Sequence, residues 1–502
     1  MSTNDRLSKP IRLHQSACLA LMLSLGISGC TLAPNYERPA LPVPQTQGAL
    51  LLTDSSNSLA VARDSQLSTD ENELIKQLSP GGGLRLLVQN ALAFNHDFQI
   101  AVLRVKEARA SYGITNADRL PSVSAGLERN RQHFDKPVND ERYGQDLTVA
   151  SIGASDFELD FFGRIRSLSD AARHDYLATT YGQRAARGAL VAEVARLYLS
   201  ERLAAAQQAD TRLIDEAEQT LLGMAQTQQQ EGAASLDDVM SQQAQVQRSH
   251  LQLQAATNEH ARASQALLFV TGYLAALPAV PVEPAGLVEQ VPDQTAAGLI
   301  DMRSERLLER FDVRQSEERL KAANANIGAA RAAFFPSIRL STSVGTASDS
   351  LQSLFNGGNG MWMFTPQLSL PLFDGGRNRA NLKLAQVRKQ IAVAQYEQAI
   401  QVAFREVADV LAKRQQVLVD LQSESVMSRL AQDKARRASS ALDAGGSDRT
   451  VQLASKIQSA QADIAWRRAH HALLLNRLDI YRVLLGVDAA PSQPTSDNEA
   501  AL

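Results

Sequence analysis

Few residues in this chain have the types and spacing that chemistry needs, and the best defined of them is Cys30. It closes the string Ile27-Ser28-Gly29-Cys30, behind a mostly apolar run from Ser16 to Ile27 and the basic residues Arg6, Lys9 and Arg12. Cationic residues, a short apolar run and small residues before a cysteine resemble a bacterial signal peptide that ends in a lipobox. The run is too short to remain as a membrane span. Cleavage then makes Cys30 the first residue and exposes it for covalent lipid, the one attached group expected; no other cofactor is expected. Thr31 stands where an inner-membrane retention signal tends to have Asp, so sorting to the outer membrane is expected. The other cysteine, Cys18, lies inside the apolar run, which leaves none for a disulfide or a thiolate metal site.

The remaining titratable groups point away from catalysis. His470-His471 is the only adjacent histidine pair, and helical neighbours point in different directions, so no metal site is expected there. No phosphate-cradling loop is present, and Gly81-Gly82-Gly83 reads as a flexible link. The chain is therefore not expected to be an enzyme. Its net charge of -3 points to neither nucleic acid nor an acidic substrate. Asp237, Asp238, Asp443, Asp448 and Arg449 gather around two glycine turns, Gly232 and Gly445-Gly446. In an oligomer each becomes a ring of charge, able to favour cations and to hold a closed iris by ion pairs. The plainer reading makes them solvated helix-terminal residues, with Asp448 complementing a helix dipole.

The elements that position these residues occur twice. On length alone, 502 residues suggest about three domains. Aromatics are only 5%, however, and Ala, Gln, Leu and Arg fill long segments, which favours extended helices. Asn116-Ala117-Asp118-Arg119-Leu120-Pro121-Ser122 is echoed by Arg331-Ala332-Ala333-Phe334-Phe335-Pro336-Ser337, and Gly272 by Gly486, at an offset close to 214. This is a tandem duplication, too long in period for a solenoid. The division expected is signal peptide 1-29, lipidated arm 30-83, first repeat 84-275, linker 276-297, second repeat 298-487 and tail 488-502, with the arm extended to about Ser79.

Each repeat reads as a short helix, two strands, a long helix and a returning helix. The strands alternate with a period of 2: Trp362, Phe364, Leu368, Leu370 and Leu372 lie on one side, and Thr365, Gln367 and Ser369 on the other. One greasy and one polar face suit a membrane barrel with a wet lumen. Polar loops from His133 to Gln145 and from Thr346 to Gly360 suit its outer side. Proline-free runs from Arg164 to about Gln230 and from Arg377 to about Asp443 predict helices of about 100 Å at ~1.5 Å per residue. Return helices are expected over about Ser235 to Thr271 and Asp448 to Leu485, and leading helices over about Asp97 to Asp118 and Asp312 to Phe335. Strand meets helix at Gly163 and at Gly375-Gly376, where a period of 2 gives way to 3.6. Four strands leave open edges that a bilayer does not tolerate, so oligomerisation must close the sheet. A dimer gives the minimum of about 8 strands and a trimer about 12; geometry alone leaves both.

Cys30 with Thr31-Leu32-Ala33-Pro34-Asn35-Tyr36-Glu37-Arg38-Pro39 resembles the start of a TolC/OprM-type outer-membrane efflux protein of the lipoprotein (NodT-type) branch. So do the joints from Glu158 to Ser167 and from Pro371 to Arg377, and the helical strings Val393 to Ile400 and Phe404 to Leu411. The resemblance implies a mostly α chain forming a homotrimeric, 12-stranded transmembrane β-barrel continuous with a periplasmic α-helical barrel that carries an equatorial belt. It implies the outer-membrane channel of a tripartite efflux pump, passing small molecules such as drugs, toxic compounds or metal ions. The implied partners are a periplasmic adaptor, an inner-membrane pump of the RND type and outer-membrane lipid. A duct for type I protein secretion is the alternative from the same architecture, and a poreless periplasmic scaffold is a third reading. Members often carry Asp-x-x-Asp early in the second return helix. Val451-Gln452-Leu453-Ala454-Ser455 has no carboxylate, which makes Asp238 the better gate candidate.

Overall fold

The computed structural model describes residues 32–39, 67–138, 145–272 and 303–487. Cys30, the signal peptide, the 276-297 linker, the tail and residues 139–144 of the first loop lie outside the described residues. The chain falls into two units, Met1–Thr53 and Asp54–Leu502. In the first, residues 32–39 are exposed and without helix or strand. The second begins with α1 (Thr69–Leu78), α2 (Gly83–Phe94) and α3 (His96–Ala117), then β1 (Val123–Gln132), β2 (Gln145–Leu159), α4 (Arg164–Gln230) and α5 (Leu236–Thr271). After a 3-10 turn at Ser304–Glu309 come α6 (Phe311–Ala332), β3 (Ser337–Ser348), β4 (Gly360–Ser369), α7 (Arg377–Asp443) and α8 (Arg449–Val483).

The long helices α4 and α7 have 67 residues each, with the ends that the absence of proline and the apolar periodicity predict. At ~1.5 Å per residue each spans about 100 Å. Helix α4 packs against α3 and α5 on one flank and against α6 and α8 on the other, while α7 packs on α6 and α8. The side-by-side order is thus α3 with α5, α4, α6 with α8, then α7. The sheet has the order β1-β2-β3-β4, all antiparallel, so each strand continues into the helix of the same rank.

The shorter helices match the long ones in height because they are stitched end to end. At the start of α3, Asn95 caps the helix through Phe98 N–H (3.0 Å) and its Nδ2 donates to the carbonyl of Val270 near the end of α5 (3.2 Å). In the second repeat Arg310, just before α6, donates from Nη1 to the carbonyl of Val483 (3.2 Å) and from Nη2 to Glu406 on α7 (2.8 Å). The two stitches use different chemistry at the same place. Around them sits the main core, near the middle of α4: Leu87 and Val88 of α2, Val191, Val194 and Tyr198 of α4, Leu267 of α5 and Leu478 of α8.

The arm read as extended to about Ser79 differs from the structure, since α1 lies within it. Ser68 and Glu71 form a reciprocal capping box, and the Arg187 guanidinium holds the buried Glu71 carboxylate at 2.8 and 2.9 Å. Burial alone would raise the Glu71 pKa, but the hydrogen bonds from Arg187 and Ser68 together with the Arg187 charge hold it below the usual range. Glu71, Leu74, Ile75 and Leu78 fall at helical spacing and are the buried residues of α1, and because ten residues are marginal as an isolated helix, packing against α2, α4 and α8 holds it.

Between the main core and the far turns, the long and return helices are tied by one motif with its parts exchanged. In the first repeat Ser249 of α5 donates to Asp215 of α4 (2.7 Å), and Gln219 donates to the same carboxylate (2.7 Å). In the second, Ser428 of α7 donates to Asp463 of α8 (2.5 Å), and Gln432 donates to it as well (2.7 Å). The carboxylate has moved from the long helix to its neighbour, and the bond remains.

In the sheet, β2 and β3 pair from Thr148↔Ser348 to Leu159↔Ile338, with a bulge between Ala154 and Phe157 where Asp156 takes a φ of 55° and its N–H finds Ser341 Oγ (3.1 Å). Gly153 and Gly345 sit where the two backbones come closest. A Cβ at Gly345 would drive into the Ala150 carbonyl oxygen, and one at Gly153 into that of Thr342. Gly126, on the same face of β1, has open space beside it. Gly345→Val is expected to prevent stable sheet formation and remove the protein from the outer-membrane fraction, whereas Gly126→Val is expected to leave its amount unchanged; quantitative immunoblotting of fractionated membranes measures both.

Candidate functional site

The register sorts the sheet into two faces. On one lie Val123, Ala125 and Leu127 of β1, Ala150, Ile152 and Ala154 of β2, Leu340, Thr342 and Val344 of β3, and Trp362, Phe364 and Leu368 of β4. On the other lie Ser124, Gly126 and Glu128, Ser151 and Gly153, Ser341 and Ser343, then Met363, Thr365 and Gln367. Trp362 is 78% exposed, Val123 70% and Leu368 66%, on a face that no other described element covers. Water penalises an apolar surface of this extent, and lipid does not. No helix among the described residues is long and apolar enough to cross a membrane.

At the two joints Gly163 (φ 71°), Gly375 (φ 66°) and Gly376 (φ 90°) occupy the left-handed region, which lets the chain turn from strand to helix within a residue or two. Gly163 and Gly376 are the residues that begin α4 and α7, and a glycine there has no side chain to cap the first turn. Nearby carboxylates do it instead. Asp160 accepts from Arg166 N–H (2.7 Å), and Asp374 accepts from the N–H groups of Gly376 (2.9 Å) and Asn378 (2.8 Å). The Asn378 bond, then that of Gly376 and the Arg377 charge, keep the Asp374 carboxyl below its ordinary range. Glu158, near the end of β2, grips Arg164 at 2.7 and 2.8 Å and raises its pKa, and Phe162 stacks on Phe335 at 4.7 Å. Glu158, Asp160 and Phe335 belong to strings quoted from the sequence, but their bracing role emerges only from the three-dimensional contacts.

At the far ends of α4 and α7 the two turns are built alike. Ala233 N–H reaches the Gln228 carbonyl (2.7 Å) and Gly446 N–H that of Ala441 (2.8 Å), with Gly232 and Gly445 both at φ 75°. Gly445 rather than Gly446 is thus the partner of Gly232, and the repeat offset here is 213. Of the charged tip residues, Asp238 lies at the third position of α5 and accepts from Ser235 N–H (3.0 Å) and Oγ (2.7 Å) in a capping box. These bonds hold its carboxyl below the ordinary range. Asp448 caps α8 through Val451 N–H (2.9 Å). Among the described residues, Asp237 and Arg449 show no side-chain partner, and Asp443 is the exposed last residue of α7.

The model of the family described as outer membrane efflux protein matches residues 87–273 and 302–487, one stretch for each repeat. The chain belongs to that family. It is 38% identical over 403 residues to the cation efflux system protein CusC of Escherichia coli (strain K12), covering 79% of this chain and 83% of CusC. It is also 38% identical over 404 residues to the toluene efflux pump outer membrane protein TtgF of Pseudomonas putida, covering 79% and 81%. The solved open state of the Neisseria gonorrhoeae MtrE outer membrane channel superposes with a TM-score of 0.68 at 31% identity, over 91% of this chain and 98% of that one.

In this family member the joints and the tip lie at opposite ends of α4 and α7. The tip carboxylates divide by geometry into two that cap helices, Asp238 and Asp448, and two that do not, Asp237 and Asp443. Asp238→Ala and Asp448→Ala are therefore expected to lower the melting temperature of the helical part, while Asp237→Ala and Arg449→Ala leave it unchanged, as followed by circular dichroism.

Proposed function

We propose that three copies of this chain form a passive duct through the outer membrane, the exit component of a tripartite efflux pump that carries small molecules from the periplasm to the outside. The observation that carries this reading is that sheet and helices are open along the same two edges. β1 and β4 are unpaired on their outer sides. Beside β4, the outer flank of α7 exposes Leu384, Val387, Ile391, Val426, Met427 and Leu430. Beside β1, α3 and α5 expose Leu103, Ile114, Met240 and Leu251.

Four antiparallel strands place β1 antiparallel to β4, so a second copy adds its β1 to this β4 without breaking the alternation. Three copies give 12 strands from four each, and with two repeats per chain the helical wall becomes nearly sixfold. Closure satisfies the last backbone groups that hydrocarbon would leave unbonded. A periplasmic adaptor and an inner-membrane pump of the RND type supply energy and selection, and lipid on Cys30 adds a second anchor. The duct itself needs no catalytic group. Relatives named for cations and for toluene are equally similar to this chain, which supports a duct whose cargo is chosen in the pump. The gate reading falls on Asp237 and Arg449, whose side chains are not committed to caps.

Val426 and Leu430 lie one helical turn apart on the exposed flank of α7, and burying a leucine contributes roughly 1.5–3 kcal/mol. Val426→Asp with Leu430→Asp is expected to abolish the trimer on blue-native electrophoresis; an unchanged trimer band would place the subunit contact elsewhere. Asp237→Ala with Arg449→Ala is expected to raise single-channel conductance in planar bilayers, and unchanged conductance removes the gate.

A further inference from the structure

We propose that Arg129 and Arg131, held around Asp146, form a binding site for the phosphorylated headgroup of the glycolipid in the outer leaflet. The proposal rests on the outer-membrane duct described above. Along the paired register of the four strands, the outward face carries only three charged residues, and these are the three. They occupy two neighbouring rows, Arg131↔Asp146 and Arg129↔Thr148, directly beyond the apolar row Leu127↔Ala150. At the same height the lumen face bears the uncharged Asn130 and Gln132, so the cations are turned away from the transport path.

Position and charge point to the same ligand. An arginine on the lipid face is costly at the bilayer midplane and nearly free near the interface, which sets this pair at headgroup level. The apolar band agrees: Ile338 to Thr346 at ~3.4 Å per residue is about 27 Å along the strand, or about 21 Å of bilayer at a tilt of ~40°. The loops from β1 to β2 and from β3 to β4 lie at this end and the joints at the other, so it faces the outer leaflet. Arg129 donates from Nε and Nη2 to Asp146 at 3.1 to 3.2 Å, and Arg131 Nε lies 3.6 Å from the second oxygen. One carboxylate between two guanidinium groups leaves one positive charge over. Both arginine side chains are more than half exposed, with donors free to meet a second anion. Planar guanidinium groups bind phosphate in pairs of hydrogen bonds, and Asp146 orients them while competing with the phosphate.

Native mass spectrometry of the full-length trimer in nanodiscs tests this with three probes: bisphosphorylated lipid A, its dephosphorylated form and phosphatidylglycerol. The expected result is about tenfold greater retention of bisphosphorylated lipid A than of either other lipid, the scale of one or two charge-assisted hydrogen bonds. Arg129→Gln with Arg131→Gln is expected to erase the preference, and Asp146→Asn, which removes the competing carboxylate, to strengthen it. Equal retention of the two lipid A forms, or a preference that survives the double substitution, overturns the site. Retention of phosphatidylglycerol equal to that of lipid A overturns the glycolipid assignment. Conductance of the same preparations separates the two levels: normal conductance without a lipid preference removes this inference alone, and absent conductance removes the duct reading together with it.

Discussion

Every backbone N–H and C=O that meets hydrocarbon must be bonded within protein, and the rest of this architecture follows from that requirement. A four-stranded meander satisfies its inner strands and leaves one side of β1 and one side of β4 unmet. The helices repeat the arrangement in another material. Helix α4 lies between packed neighbours, while α7 and the α3-α5 pair each keep an apolar flank in the open. Because each strand runs straight into the helix of the same rank, a single neighbouring copy, as in the proposed trimer, would meet both needs at once.

Continuity between strand and helix places a demand on the joints. The chain must reverse its local geometry without leaving the first turn of a 67-residue helix frayed. Glycine meets the first demand at Gly163 and Gly376 and, lacking a side chain, fails the second. Asp160 and Asp374 supply the missing acceptors from positions just upstream. They do so at different distances from the glycine, three residues in one repeat and two in the other, so the duplication has kept the function of the cap while its spacing drifted. Glu158 with Arg164 and Phe162 with Phe335 then fix the angle at which β2 enters α4.

Much of this was legible in the sequence. Proline-free runs of 67 residues with clusters of apolar residues at spacings of three and four leave little room for another conformation, and the ends of α4 and α7 followed from the joint glycines and the tip glycines. The strand faces followed from Trp362, Phe364 and Leu368 alternating with Thr365 and Gln367. Most of what escaped depends on partners distant in sequence. Helix α1 is held by Arg187, more than a hundred residues away, although the Ser68-x-x-Glu71 box that starts it was there to be read. Asp238 looked like a candidate for a charge ring, and the Ser235 box three residues earlier gives it a local task. The rim at Arg129, Arg131 and Asp146 needs the register of β1 on β2, which a loop of uncertain length hides from any reading of the sequence alone.

The exchanged bonds between the long and return helices show what a duplicated wall has to keep. A buried carboxylate is tolerable only while it is hydrogen-bonded, and a substitution that removed Asp215 alone would leave Gln219 without its acceptor and Ser249 with only the Val246 carbonyl of its own helix, so the bond between the helices would be lost. In the second repeat the same height is served by Asp463 on the other helix, with Ser428 and Gln432 as donors. Either placement locks the long helix to its return helix at one register. The likeness of the two repeats is therefore a symmetry of contacts rather than of residues. Two halves whose sequences have diverged keep equivalent helix pairs, because what persists is a donor facing an acceptor at equivalent positions.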